Sequence, residues 1–161
     1  MRRANVAARE DASARMGAGL PATRAAEQLR SVAFEPVSEL IHTCYRIGDI
    51  DRSVAFYQAL GFEELARMPI RDEAINVFMG LPGDGARLEL TYNHGVDSYE
   101  LGTGYNHIAI TVDDMDARLA ELAEQGIEPE KPPYTVREGG SRLCFVRDPD
   151  GYRIELIEKS A

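Results

Sequence analysis

Two histidines and two glutamates in this sequence recur at matched distances. Glu89 follows His42 by 47 residues, and Glu155 follows His107 by 48. Imidazole nitrogen and carboxylate oxygen together suit borderline divalent cations such as Zn, Ni, Co, Fe or Mn. A carboxylate beside such a cation can also take up and return a proton. Taken alone, a histidine in a strand is usually structural and an outward glutamate is usually just solvated. The matched set makes the four a candidate His2Glu2 site. A buried imidazole or carboxylate without a partner is costly, and one shared cation offsets that cost for all four.

The match extends beyond the four residues. At an offset of 65, residues 42 to 53 (HTCYRIGDIDRS) align with residues 107 to 118 (HIAITVDDMDAR). Asp49 meets Asp114, Asp51 meets Asp116, and Gly61 meets Gly126. In the first copy Ile41, Thr43, Tyr45 and Ile47 alternate, which predicts a strand. Asp49 or Asp51 then caps a helix carrying the stripe Ile50, Val54, Tyr57 and Leu60, and Gly61 ends it. The second copy repeats this with Ile108, Ile110 and Val112, then Met115, Leu119 and Leu122. Further strands are expected at 62–68, 74–80 and 86–93, and at 127–129, 142–147 and 152–158. Turn sequences at residues 82–85 and 148–151 precede the last strand of each copy. The reading is α+β: two tandem βαβββ modules forming a cup-shaped mixed sheet, with helices on one face.

Alternation then aims the candidates. Leu88, Leu90 and Tyr92 face one way, and Glu89, Thr91 and Asn93 the other. Tyr152, Ile154 and Leu156 oppose Glu155. The aliphatic side belongs against the helices, so His42, Glu89, His107 and Glu155 all point to the bare face. Arg46 lies four residues beyond His42 and Asn93 four beyond Glu89, so both share that face. His94 falls in a loop after its strand, and Glu100 and Glu158 lack repeat partners and read as surface acids.

The net charge of −9 and the lack of a basic cluster in the body argue against nucleic acid as a partner. No run of 18 apolar residues occurs, so no membrane helix is expected. Acidic surface with an ordinary apolar fraction of 44% fits a chain that handles small molecules or metal ions. Cys44 and Cys144 are too few for a disulfide framework and read as reduced, buried thiols of a cytoplasmic protein. Residues 1–38 are rich in Ala and Arg and lack a secretory apolar stretch; they read as a disordered N-terminal extension. The expected domain is 39–161, with modules 39–98 and 103–161.

Three segments carry a wider likeness: LIHTCYRIGDIDRSVAFY, RLELTYNHGVDSYELGTGYNHIAI and FVRDPDGYRIELIE. Through them the chain from about Glu39 to Lys159 resembles glyoxalase I (lactoylglutathione lyase), of the vicinal oxygen chelate superfamily. The resemblance implies isomerisation of the methylglyoxal–glutathione hemithioacetal to S-lactoylglutathione, a methylglyoxal detoxification. It implies a divalent metal on His42, Glu89, His107 and Glu155, with Ni or Co favoured for a compact member and Zn possible. It implies Glu155 as the base, with Glu89 a ligand and a candidate second base for the other substrate stereoisomer. It implies that Arg46 and Asn93 hold the γ-glutamyl end of glutathione, the co-substrate. It also implies a homodimer whose sites pair one module of each chain, so that His42 and Glu89 of one subunit face His107 and Glu155 of the other.

One position departs from the family pattern. Members often carry a basic residue just before the Gly-Gly pair, whereas Glu138 precedes Gly139 and Gly140 here, with Arg137 and Arg142 nearby. That leaves open another low-molecular-weight thiol. A related isomerase or epimerase with another thiol or acyl substrate, or a non-enzymatic binding protein of the same fold, are the alternatives. A dioxygenase normally wants two His and one carboxylate, and Glu89 as a fourth ligand argues against it.

Overall fold

The computed structural model describes residues 38–160. The expectation of a disordered extension therefore lies, apart from Ser38, outside the described residues. The elements run β1 (Thr43–Ile47), α1 (Ile50–Ala59), β2 (Glu63–Ile70), β3 (Ala74–Gly80) and β4 (Leu88–Asn93), followed by β5 (His107–Val112), α2 (Met115–Ala123), β6 (Tyr134–Thr135), β7 (Arg142–Arg147) and β8 (Arg153–Glu158). Two mixed sheets result, ordered β1-β4-β3-β2 and β5-β8-β7-β6. In each, the first strand runs parallel to the last, and the remaining pairs are antiparallel. This is the expected α+β architecture of two βαβββ modules.

Local chemistry sets the boundaries. The carboxylates of Asp49 and Asp114 accept hydrogen bonds from the backbone N–H of Arg52 and Ala117 at 2.8 and 2.9 Å. Each satisfies a helix N-H that the helix itself leaves unpaired. Gly61 and Gly126 follow the helices at φ +89° and +75°, a backbone region that side chains disfavour. One expected strand is absent: residues 127–129 are not in the sheet, and the short β6 lies at 134–135 instead. Pro129, Pro132 and Pro133 remove ladder donors from this stretch, so although the Glu130 N–H donates to the Phe145 carbonyl of β7 at 2.8 Å, ladder pairing begins at Tyr134, after them.

The period-two pattern divides every ligand-bearing strand. Tyr45 and Ile47 of β1, Leu88 and Leu90 of β4, and Ile154 and Leu156 of β8 are buried. They join Val54 and Tyr57 of α1 and Met115 and Leu122 of α2 in one core. The opposite residues, Cys44, Arg46, Ala109 and Thr111, are exposed.

The turn before β8 locks the modules together. Asp150 accepts from the Gly48 N–H at 2.9 Å and from the Ser53 hydroxyl at 3.1 Å. Tyr152 stacks on Tyr45 with ring centroids 4.0 Å apart and planes 2° from parallel. Asp148 is buried; it accepts from the Tyr57 hydroxyl at 2.9 Å and from the N–H groups of Asp150 and Tyr152. Burial pushes its carboxyl up from 3.8 to about 6, against the pull of the Tyr57 hydroxyl.

The folded chain thus holds this proton more tightly than the unfolded chain does. The contribution to stability is largest at low pH and is lost as pH rises from about 4 through 6. Asp148→Asn keeps an acceptor for both N–H groups but cannot titrate. Urea unfolding at pH 5 and pH 7 should show the variant gaining roughly 1 kcal/mol relative to the native chain at the higher pH. An unchanged difference between the two would show that Asp148 is ionised throughout.

Candidate metal centre

The first strands and last strands of the two modules place the candidates. β1 pairs with β4 so that Cys44 lies opposite Glu89, and β5 pairs with β8 so that Ala109 lies opposite Glu155. His42 and His107 stand two residues before those positions, which brings each imidazole onto its glutamate. His42 Nε2 lies 2.7 Å from Glu89 Oε2. His107 Nε2 lies 3.0 Å from Glu155 Oε2. The glutamate side chains are 13% and 14% exposed. Each histidine also meets a phenylalanine edge, Phe78 for His42 and Phe145 for His107.

The residues suit a cation. His107 Nδ1 lies 2.8 Å from Asn106 Oδ1. That atom also accepts from the Arg153 guanidinium at 2.9 Å, which fixes it as the amide oxygen. The oxygen can only accept, so Nδ1 carries a proton and Nε2 is the nitrogen left to face Glu155. At 3.0 Å that nitrogen and the carboxylate need a proton or a metal ion between them. In the other pair His42 Nδ1 is buried and, among the described residues, has no hydrogen-bond partner.

The four residues are not brought together. Among the described residues, no group of three or more His, Cys, Asp or Glu side chains comes close enough to hold a metal ion. One chain therefore presents two separate His–Glu pairs.

The other expected residues lie nearby. Arg46 is exposed on the His42 face, its guanidinium carbon 6.0 Å from the centre of the Tyr99 ring. Asn93 donates to the Tyr99 hydroxyl at 2.7 Å. Tyr99 thus links the two, and the YELGT stretch was its only trace in the sequence. Asn106, Asn76 and Thr91 also touch the ligand candidates without having been expected to. Thr91 donates to Glu89 Oε1 at 3.0 Å, and Asn76 does so at 2.8 Å. The available signal was the polar residue at every second position of β4 and the one polar residue of β3, Asn76.

Two expectations need correction. Cys144 is buried, but Cys44 is exposed, because alternation sets it on the open face with His42. Partial burial pushes its thiol up, the Thr91 hydroxyl at 3.3 Å opposes this, and the Glu89 carboxylate adds to it. Glu158 is not a plain surface acid; its carboxylate accepts from the Met115 N–H at 2.9 Å at the start of α2. His94 and Glu100 are exposed.

Residues 39–156 match the family model described as the Glyoxalase/Bleomycin resistance protein/Dioxygenase superfamily. A lactoylglutathione lyase of Haemophilus influenzae is 42% identical over 128 residues, covering 76% of this chain and 94% of that one. One of Arabidopsis thaliana is 39% identical over 123 residues, covering 74% of this chain and 44% of that one. The crystal structure of glyoxalase I from Zea mays superposes with a TM-score of 0.71 at 36% identity, covering 76% of this chain and 45% of that chain. The chain thus spans less than half the length of these plant relatives and nearly all of the bacterial one.

The Asn106 contact yields a test. Asn106→Ala removes the acceptor that sets the His107 tautomer. Calorimetric titration of the demetallated protein with nickel should show affinity lowered by about 10- to 100-fold. Unchanged affinity would mean that Asn106 does not orient a ligand.

Proposed function

The chain belongs to the Glyoxalase/Bleomycin resistance protein/Dioxygenase superfamily, and from the two His–Glu pairs on its open faces we propose that it is a metal-dependent lactoylglutathione lyase. The observation that carries this reading is the pair of repeat-related half-sites, 2.7 and 3.0 Å between nitrogen and carboxylate oxygen. The catalytic unit in this reading is 39–161, its modules 39–98 and 103–161, and His42, Glu89, His107 and Glu155 hold one divalent ion.

The substrate is the hemithioacetal formed by methylglyoxal and glutathione. The ion, nickel or cobalt by preference, supplies Lewis-acid stabilisation for negative charge on two adjacent oxygens. Glu155 takes the proton from the sulfur-bearing carbon and returns a proton to the neighbouring carbon. The bonds to carbon shift accordingly, and a thioester bearing a 2-hydroxyl results. Arg46 meets the γ-glutamyl carboxylate with its planar fork, and Asn93 donates or accepts beside it. At the other end Arg142 is engaged by Asp116 and Glu158, so among the described residues the exposed Arg137 is the cation left beside Gly139 and Gly140. With Glu138 adjacent to it, a low-molecular-weight thiol other than glutathione is the second reading.

A homodimer completes the site in this proposal. Two donors per half-site fall short of the ligand count that such ions take, and pairing module one of one chain with module two of another supplies four. Leu40 and Ile41, 79% and 57% exposed, sit beside Ile108 and Ile110 in an apolar groove at the β1 and β5 ends, which supports a second copy there. No helix among the described residues is long and apolar enough to cross a membrane. Two free thiols fit a reducing, cytoplasmic setting.

Demetallated protein given nickel, methylglyoxal and glutathione should form the thioester, and metal-free protein should not. Absence of product with nickel, cobalt and zinc alike would remove the reading. Glu155→Gln should lower kcat by about 10²- to 10⁴-fold. The shared site has its own test: His42→Ala and His107→Ala chains are each inactive, and mixing them should restore about a quarter of wild-type activity, since half the dimers carry one intact site. No recovery would place all four ligands in one chain.

A further inference from the structure

The two half-sites differ in what surrounds their glutamates, and strand register makes the comparison position by position. Glu89 pairs with Phe78 on β3 and Cys44 on β1, and Glu155 pairs with Phe145 on β7 and Ala109 on β5. Two residues further on, Thr91 pairs with Asn76 while its counterpart Ile157 pairs with Leu143. The phenylalanines match. The trio Asn76, Thr91 and Cys44 is replaced by Leu143, Ile157 and Ala109. Three polar side chains around one glutamate thus correspond to three aliphatic ones around the other, at nearly equal exposure.

The hydrogen bonds follow that division. Glu89 Oε1 accepts from the Asn76 amide at 2.8 Å and from the Thr91 hydroxyl at 3.0 Å. The Thr91 hydroxyl has one proton, and Asn76 Oδ1 at 3.1 Å competes for it. The Cys44 thiol, 3.3 Å away, can donate to the same hydroxyl oxygen and leave that proton for the carboxylate. With Oε1 tied twice, Oε2 is held on His42. Glu155 has His107 at its Oε2 and, among the described residues, no hydrogen-bond donor at Oε1.

We propose that Asn76 and Thr91 are positioning residues that fix Glu89 as a stationary metal ligand, and that the aliphatic replacements leave Glu155 free to turn. The inference rests on the metal reading above, and it assigns the unequal roles of two equivalent glutamates to their neighbours. Neither Asn76 nor Thr91 touches the ion; both act through the orientation of one carboxylate.

The test uses the full chain, demetallated and titrated with nickel, and the visible absorption of its cobalt-loaded form. Thr91→Val and Asn76→Leu should each weaken nickel binding by about 10- to 100-fold and alter the cobalt spectrum, which reports ligand geometry. Thr91→Ser restores the hydroxyl and should restore both. Should Asn76→Leu fail to fold, the near-isosteric Thr91→Val and its serine rescue decide alone. Wild-type affinity and spectrum in Thr91→Val would overturn the inference and leave the metal site standing. A wild-type chain that binds none of nickel, cobalt or zinc would overturn the metal reading, and this inference with it.

Discussion

Everything at the candidate centre depends on the two-residue repeat of four strands. Because side chains alternate, burying Tyr45, Ile47, Leu88, Leu90, Ile154 and Leu156 against the helices forces their neighbours to the other face. His42, Glu89, His107 and Glu155 are those neighbours. A slip of one residue in any strand would bury a ligand and expose an aliphatic side chain. The hydrophobic core therefore sets the positions of the polar groups, and the parallel pairing of β1 with β4 and of β5 with β8 then brings each histidine to its glutamate.

The internal repeat explains how one fold makes two matching His–Glu pairs. Each module supplies an imidazole, a carboxylate, an Asp-capped helix and a glycine at positive φ. The modules are fastened by contacts without a repeat partner: the Tyr152–Tyr45 stack, and Asp148 and Asp150 reaching Tyr57, Ser53 and Gly48. Symmetry serves the centre, and its local breaking serves the junction and the environment of each glutamate.

Much of this was readable from the chain itself. Alternation and the offset of 65 were enough to place both βαβββ units, the helix caps and the four candidate ligands. What was missed depended on relations that no single segment carries. Asn76 touches Glu89 because of the register between β3 and β4, and a strand's own alternation does not fix its register. Tyr99 meets Arg46 and Asn93 through a loop whose path is set by tertiary contacts. The strand expected at 127–129 does not form because Pro129, Pro132 and Pro133 take ladder donors away around its one apolar residue, Ile127. Glu158 looked solitary because its partner is a backbone N–H 43 residues away.

The division of donors into two pairs has a thermodynamic consequence. In the proposed shared site, an ion that takes four donors and finds two on each chain would also be a cross-link. Ion binding and chain association would then be one linked equilibrium, each making the other more favourable by the same factor. A chelator would act on such an assembly as a dissociating agent, and dilution would act on it as a chelator does.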